Sequence, residues 1–145
     1  MFFRYHDHKF PILSVFALSS EIQGAGDFRQ ALGKEGFFKM MSKEDRRILD
    51  RFAARVHERL PDARIWAFGS RVRGDATWDS DFDVFIVLEE VDQRSDRWIR
   101  EIAWEVGFEN DRVITTVLLD KEQFEHGPMS ESTLVVNILR EGLSA

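Results

Sequence analysis

The sequence predicts an α/β domain of the α+β type, a small mixed β-sheet with helices packed on it. Two observations carry that expectation. Apolar residues recur at helical spacing in separate stretches, and short apolar runs rich in branched or aromatic side chains lie between them. The resulting order, α-β-β-α-β-α, suits helices laid on a mixed sheet.

The first helix is expected from Lys43 to Leu60. Ser42 can cap it with Asp45 as a capping-box partner, and Ile48, Leu49, Phe52, Val56 and Leu60 form one apolar face. Pro61 lies just beyond its end. Arg64 to Phe68 reads as a short strand, and a polar, glycine-containing loop follows from Gly69 to Ser80. Phe82 to Leu88 is nearly all apolar, which suits a central strand. A helix starting at Asp92 or Ser95 buries Ile99, Ile102, Ala103 and Val106 and ends near Gly107. Val113 to Leu119 is a third strand. Asp120 and Gln123 suggest a capping box for a short helix. The last helix starts near Ser130, buries Leu134, Val135, Ile138 and Leu139, and ends at Gly142.

Residues 1–39 differ from the rest. They hold Gly24, Gly26, Gly33 and Gly36 with little sustained periodicity. They are expected to be a poorly ordered N-terminal extension, or the product of an upstream start, with the domain proper at residues 40–145. Arg4 and Lys9 followed by apolar Phe10 to Leu18 have a weak secretory-signal shape, from which Asp7 and Pro11 depart. The expected location is cytoplasmic, with no membrane contact.

The 145 residues suit one domain, and 43% hydrophobic content supports a core. A net charge of −6 disfavours non-specific nucleic-acid binding, and no direct nucleic-acid partner is expected. The chain has no cysteine, which excludes disulfides, thiolate metal sites and cysteine nucleophiles.

The chemistry-bearing stretch runs from Gly69 to Asp83. A strand ends in Gly69-Ser70, ten residues follow, and Asp81-Phe82-Asp83 opens a strongly apolar strand. Residues two apart on a strand share a face, so the two carboxylates can bind Mg²⁺ together. Burying both without a cation costs like-charge repulsion. Gly69 allows close approach of a ligand, and Ser70 with nearby backbone N–H groups can hold phosphate oxygens. Arg71 and Arg73 add cationic donors. Either half of this pattern alone is an ordinary loop or turn; together, in this order, they are specific.

The combination resembles the minimal nucleotidyltransferases of the DNA polymerase β superfamily, over residues 41–145. Their signature is Gly-Ser, a ten-residue spacer and Asp-x-Asp, and Arg71-Val72-Arg73-Gly74 and Ser80-Asp81 match as well. The resemblance implies a nucleotidyltransferase-like fold, with Asp81 and Asp83 as catalytic metal ligands. It implies Gly69, Ser70, Arg71 and Arg73 at the triphosphate, and Mg²⁺ as cofactor. Transfer of a nucleoside monophosphate, AMP from ATP, would release pyrophosphate. In similar stand-alone domains the acceptor is a tyrosine of a HEPN-type ribonuclease toxin, which implies an antitoxin role with that protein as partner. A homo-oligomer is compatible with this reading. One departure stands out: the superfamily usually carries a third carboxylate on a later strand, where this chain offers Thr115 and Thr116. A non-catalytic binding module that neutralises its partner by contact is therefore the alternative. An antibiotic-modifying enzyme is a third reading, but such enzymes usually carry a further helical domain.

Arg47, Arg51, Arg55 and Arg59 form a basic stripe on the first helix, an ordinary solvated face relieved by Glu44, Asp50 and Glu58, or a surface for an acidic partner or RNA. Trp66 and Trp104 are expected in the core; Trp78, in the motif loop, is expected to be partly buried, with stacking on a base as the alternative. The four histidines are expected to be surface residues without a metal role.

Overall fold

The computed structural model describes residues 41–145. The extension expected at residues 1–39 and its signal-like stretch lie outside the described residues. A four-stranded mixed sheet with helices against both faces is observed, the class expected.

Helix α1 (Lys43–His57) starts where Ser42 accepts a hydrogen bond from the Asp45 N–H at 3.0 Å. The reciprocal half of the expected capping box does not form, because the Asp45 carboxylate turns inward and pairs with Arg71. The helix ends one turn earlier than expected. The His57 ring nitrogen Nε2 meets the Ala63 carbonyl at 2.9 Å, which fixes the turn into strand β1 (Arg64–Phe68). A one-turn helix, α2 (Ser70–Arg73), occupies the start of the predicted loop. Strand β2 (Phe82–Leu88) and helix α3 (Gln93–Glu109) follow. Asp92 and Ser95 cap α3 reciprocally. Gly107 lies inside α3 rather than after it. A Cβ there would sit 2.4 Å from the Arg112 carbonyl, so packing against the next strand requires glycine.

Strand β3 (Ile114–Asp120) leads to α4 (Lys121–Glu125), where Asp120 accepts from the Gln123 N–H at 2.8 Å. A 3₁₀ turn at Pro128–Glu131 takes the place of the expected start of the last helix. Helix α5 (Thr133–Glu141) begins one turn later, capped by Ser132. Residues Leu143–Ser144 form β4, a two-residue strand too short to leave a periodic signal.

The sheet order is β3-β2-β1-β4, with β2 antiparallel to β1 and parallel to β3. Strand β2 is buried at six of its seven positions, as its composition requires of a central strand. Its side chains alternate between two cores. Phe82, Val84, Ile86 and Leu88 pack with Ile48, Leu49, Phe52 and Val56 of α1 and Ile99, Ile102 and Val106 of α3. Phe85 and Val87 pack with Val135 and Ile138 of α5, flanked by Trp66 and Phe124. Each such buried side chain contributes about 1.5–3 kcal/mol relative to exposure.

Two tryptophan expectations are corrected. Trp104 is 68% exposed, because it lies on the side of α3 away from Ile99, Ile102 and Val106. Trp78 is 83% exposed in the motif loop. Trp66 does join the second core. The arginine stripe of α1 is largely spent within the domain: Arg55 donates to Glu109 at 2.8 Å, Arg51 pairs with the same carboxylate, and Arg59 lies 4.9 Å above the Trp98 ring. No helix among the described residues is long and apolar enough to cross a membrane.

Candidate active site

Pairing of β1 with β2 sets Phe68 opposite Asp83, and pairing of β2 with β3 sets Thr115 opposite Asp83 on the other side. Asp83 therefore stands between two neighbouring strands, on the face that carries Phe85 and Val87. Asp81 lies just before β2 and is exposed, and alternation assigns it to the same face. Between the two aspartates, Phe82 is buried and anchors the strand end, its N–H donating to the Val113 carbonyl at 2.8 Å.

Gly69 ends β1 with φ 79° and ψ −155°, a region open essentially to glycine alone. A Cβ at this position would lie 2.6 Å from Asp83 Oδ2. On the opposite flank Thr115 Oγ1 donates to Asp83 Oδ1 at 2.5 Å. The Asp83 carboxylate is thus held between a glycine that leaves room for it and a threonine that orients it.

Ser70 begins α2 and is half-buried; its hydroxyl has no protein partner among the described residues. Arg73 is exposed and pairs loosely with Asp75 at 3.5 Å. Beside Gly69 and Arg73 opens a cleft of about 230 Å³, closed on its far side by Leu134, Asn137 and Glu141 of α5. The sequence reading missed these three. Asn137 and Glu141, one helical turn apart beside buried Ile138, were the available signal.

Arg71 departs from its expected role. It is only 5% exposed, and its Nη1 donates to both oxygens of buried Asp45 at 3.2 and 3.3 Å. Its Nε and Nη2 donate to the Ser80 carbonyl at 3.2 and 2.5 Å, and Nη2 also reaches the carbonyls of Thr77 and Trp78. Its donors are committed within the protein, so it braces the loop that delivers Asp81 rather than facing a phosphate. A cation among loop carbonyls and one carboxylate satisfies groups that burial would otherwise leave unpaired. Within that loop the Thr77 hydroxyl donates to Asp79, and this hydrogen bond holds the Asp79 carboxyl below its usual pKa.

The donor set fits a hard divalent cation. Asp81 and Asp83 offer carboxylate oxygens on one strand end, and Asp83 Oδ2 takes up the room that a side chain at position 69 would need. Mg²⁺ commonly takes one or two carboxylates and completes its shell with water and substrate phosphate. No group of three acidic, histidine or cysteine side chains converges among the described residues. On the neighbouring strand, the position paired with Asp83 carries Thr115.

Comparison with known families agrees with this geometry. The family described as "Nucleotidyltransferase domain" matches residues 49–140, which take in β1, the Gly69-Ser70 turn, both aspartates, β3 and nearly all of α5. No curated protein matches the chain. The sheet, the turn and the match agree, and the chain belongs to the nucleotidyltransferase domain family of the DNA polymerase β type.

Proposed function

We propose that this nucleotidyltransferase domain transfers AMP from ATP to an acceptor hydroxyl, with a tyrosine of a HEPN-type ribonuclease as acceptor and an antitoxin role as the result. The observation that carries the transfer is the Asp83 carboxylate clasped between Gly69 and Thr115, beside a cleft lined by Gly69 and Arg73.

Asp81 and Asp83 would hold Mg²⁺, which when bound supplies positive charge to the triphosphate and to the oxygens that gain charge in the reaction. The residues of the chain do the rest. Gly69 lets the Asp83 carboxylate lie directly against the turn whose backbone would hold the phosphates. Ser70 donates its hydroxyl to a phosphate oxygen, and Arg73 adds cationic charge at the cleft mouth. Asn137 and Glu141 of α5 bound the cleft on the side away from the sheet. The acceptor oxygen attacks the α-phosphorus, its new bond forming as the bond to the bridging oxygen breaks and pyrophosphate departs. The proton of the acceptor hydroxyl passes to water, since Thr115 stands where a third carboxylate would receive it. Absence of a general base costs on the order of 10²–10⁴ in rate. A docked partner that positions its hydroxyl offsets part of that loss.

The second reading, a binding module that acts by contact alone, is favoured by the same Thr115. One experiment separates them. The chain is incubated with ATP, Mg²⁺ and a co-encoded HEPN protein, and the partner is weighed by mass spectrometry. Transfer adds one adenylyl group, and Asp83→Ala abolishes the addition while complex formation persists. Inhibition of the partner's ribonuclease without added mass under any divalent ion defeats the enzyme reading and leaves the binding module. If the protein neither modifies nor binds that partner, the antitoxin role fails.

A further inference from the structure

Strand β3 ends the sheet, and among the described residues no strand pairs with its outer edge. Its sequence, Ile-Thr-Thr-Val-Leu-Leu-Asp, has no lysine, proline or other charge before Asp120, and none of its positions is fully buried. Proteins usually shield such an edge by charge, proline or a bulge. Alongside it, the flank of α3 displays Trp104 and Phe108, 68% and 74% exposed, with rings stacked at 5.4 Å. Val113, at the start of the same edge, is 65% exposed. These residues with Arg100, Arg112, Ile114 and Thr116 enclose a hollow of about 320 Å³. Aromatic side chains left stacked in water beside an unpaired strand mark a surface meant to be covered.

We propose that a second copy of this chain covers it, with the two β3 edges paired antiparallel across a two-fold axis and the two α3 flanks side by side. The edge offers alternate backbone N–H and C=O groups, and a strand reversed on its own twin satisfies both rows at once. The flank is complementary to itself in the same sense. Its first half carries Arg97 and Arg100, the latter paired with Asp96 at 3.1 Å and both beside Glu101, and its second half carries Trp104 and Phe108. Reversal brings the cations of one copy against the aromatic faces of the other, a favourable pairing. One two-fold axis serves strand and helix together, because α3 packs along β3 within each copy. The partner is identified by this self-complementarity and does not depend on the transfer reaction.

The test uses the full chain, by light scattering after size-exclusion chromatography and by hydrogen exchange. A dimer is expected, with every second amide of β3 gaining protection as concentration rises. Trp104→Glu is expected to weaken association by roughly 30-fold or more, the effect of removing a central aromatic anchor. Its melting temperature, extrapolated to low concentration, should equal that of the parent, because Trp104 is exposed within one copy. Phe108→Glu serves as a second variant should Trp104→Glu fail to fold. A chain that stays monomeric up to roughly 100 µM overturns the proposal and leaves the face to an unlike protein. A dimer insensitive to both variants, with β3 amides unprotected, overturns it as well.

Discussion

Thr115 donates a hydrogen bond from its hydroxyl to Asp83 across two parallel strands, from the position paired with it in register. The hydroxyl stabilises the carboxylate and orients it, but it accepts no proton from a substrate.

Introducing an acid there gives the first prediction. Thr115→Asp places a second carboxylate against Asp83, and like charges at that distance destabilise the metal-free protein. Divalent cations then relieve the repulsion. The melting temperature without metal should fall, the Mg²⁺-dependent rise should grow, and adenylyl transfer should accelerate by roughly 10²-fold or more. Thermal melts with and without Mg²⁺, paired with a transfer assay, check this. Thr115→Val, which removes the hydroxyl without adding charge, should show none of the gains.

Arg71 gives the second. Removing one partner from a buried ion pair costs about 3–5 kcal/mol, and Arg71→Met leaves the Asp45 carboxylate buried. Arg112, with Nε 4.0 Å from the same carboxylate, recovers only part of that loss. Urea denaturation should show a large drop for Arg71→Met, a smaller one for Arg71→Lys, and partial recovery in Arg71→Met with Asp45→Asn. A variant that keeps full stability and loses only nucleotide affinity would return Arg71 to the phosphate role its place in the motif suggested.

Much of the fold was legible from periodicity. Both strands around the motif, Arg64–Phe68 and Phe82–Leu88, match their expected ends because each is built on a compact apolar run, Ile65 to Phe68 and Val84 to Leu88, that stops at Gly69 and at Glu89. Trp104 is an exception to the expectation from residue type: its position on the helical wheel, away from Ile99, Ile102 and Val106, leaves it exposed. At the site, the pairing of Asp81 with Asp83 and the need for glycine at 69 follow from spacing. The burial of Arg71 does not. Two arginines two residues apart look alike in sequence, and only the fold brings Asp45, twenty-six positions earlier, under one of them.

The third prediction concerns acid. Asp92 caps α3, and the Ser95 backbone N–H on its carboxylate lowers its pKa, with the Ser95 side chain adding to the effect. A carboxyl whose folded pKa is depressed contributes stability above its unfolded value and loses it as pH falls through the folded value. Asp92→Ala should therefore melt below the parent at pH 7. The gap between the two should close progressively below about pH 4, where the ordinary carboxylate range begins. Melting curves across that range give the comparison directly; a constant gap would mean that the charge of Asp92 contributes nothing.

Strand β2 carries Asp83 at one end and supplies side chains to both cores along its length. The end that carries the candidate metal ligand and the least exposed segment are one piece of backbone. Many enzymes can lose activity by fraying a loop while the rest stays folded. Here the turn at Gly69 sits on β1, the partner strand of β2, and the loop before Asp81 is pinned by a buried arginine. Opening the Asp83 end therefore disturbs the strand that both cores share. Durability of function and durability of the fold are therefore one property in this domain, and substitutions that loosen either core reach the carboxylates through the strand itself.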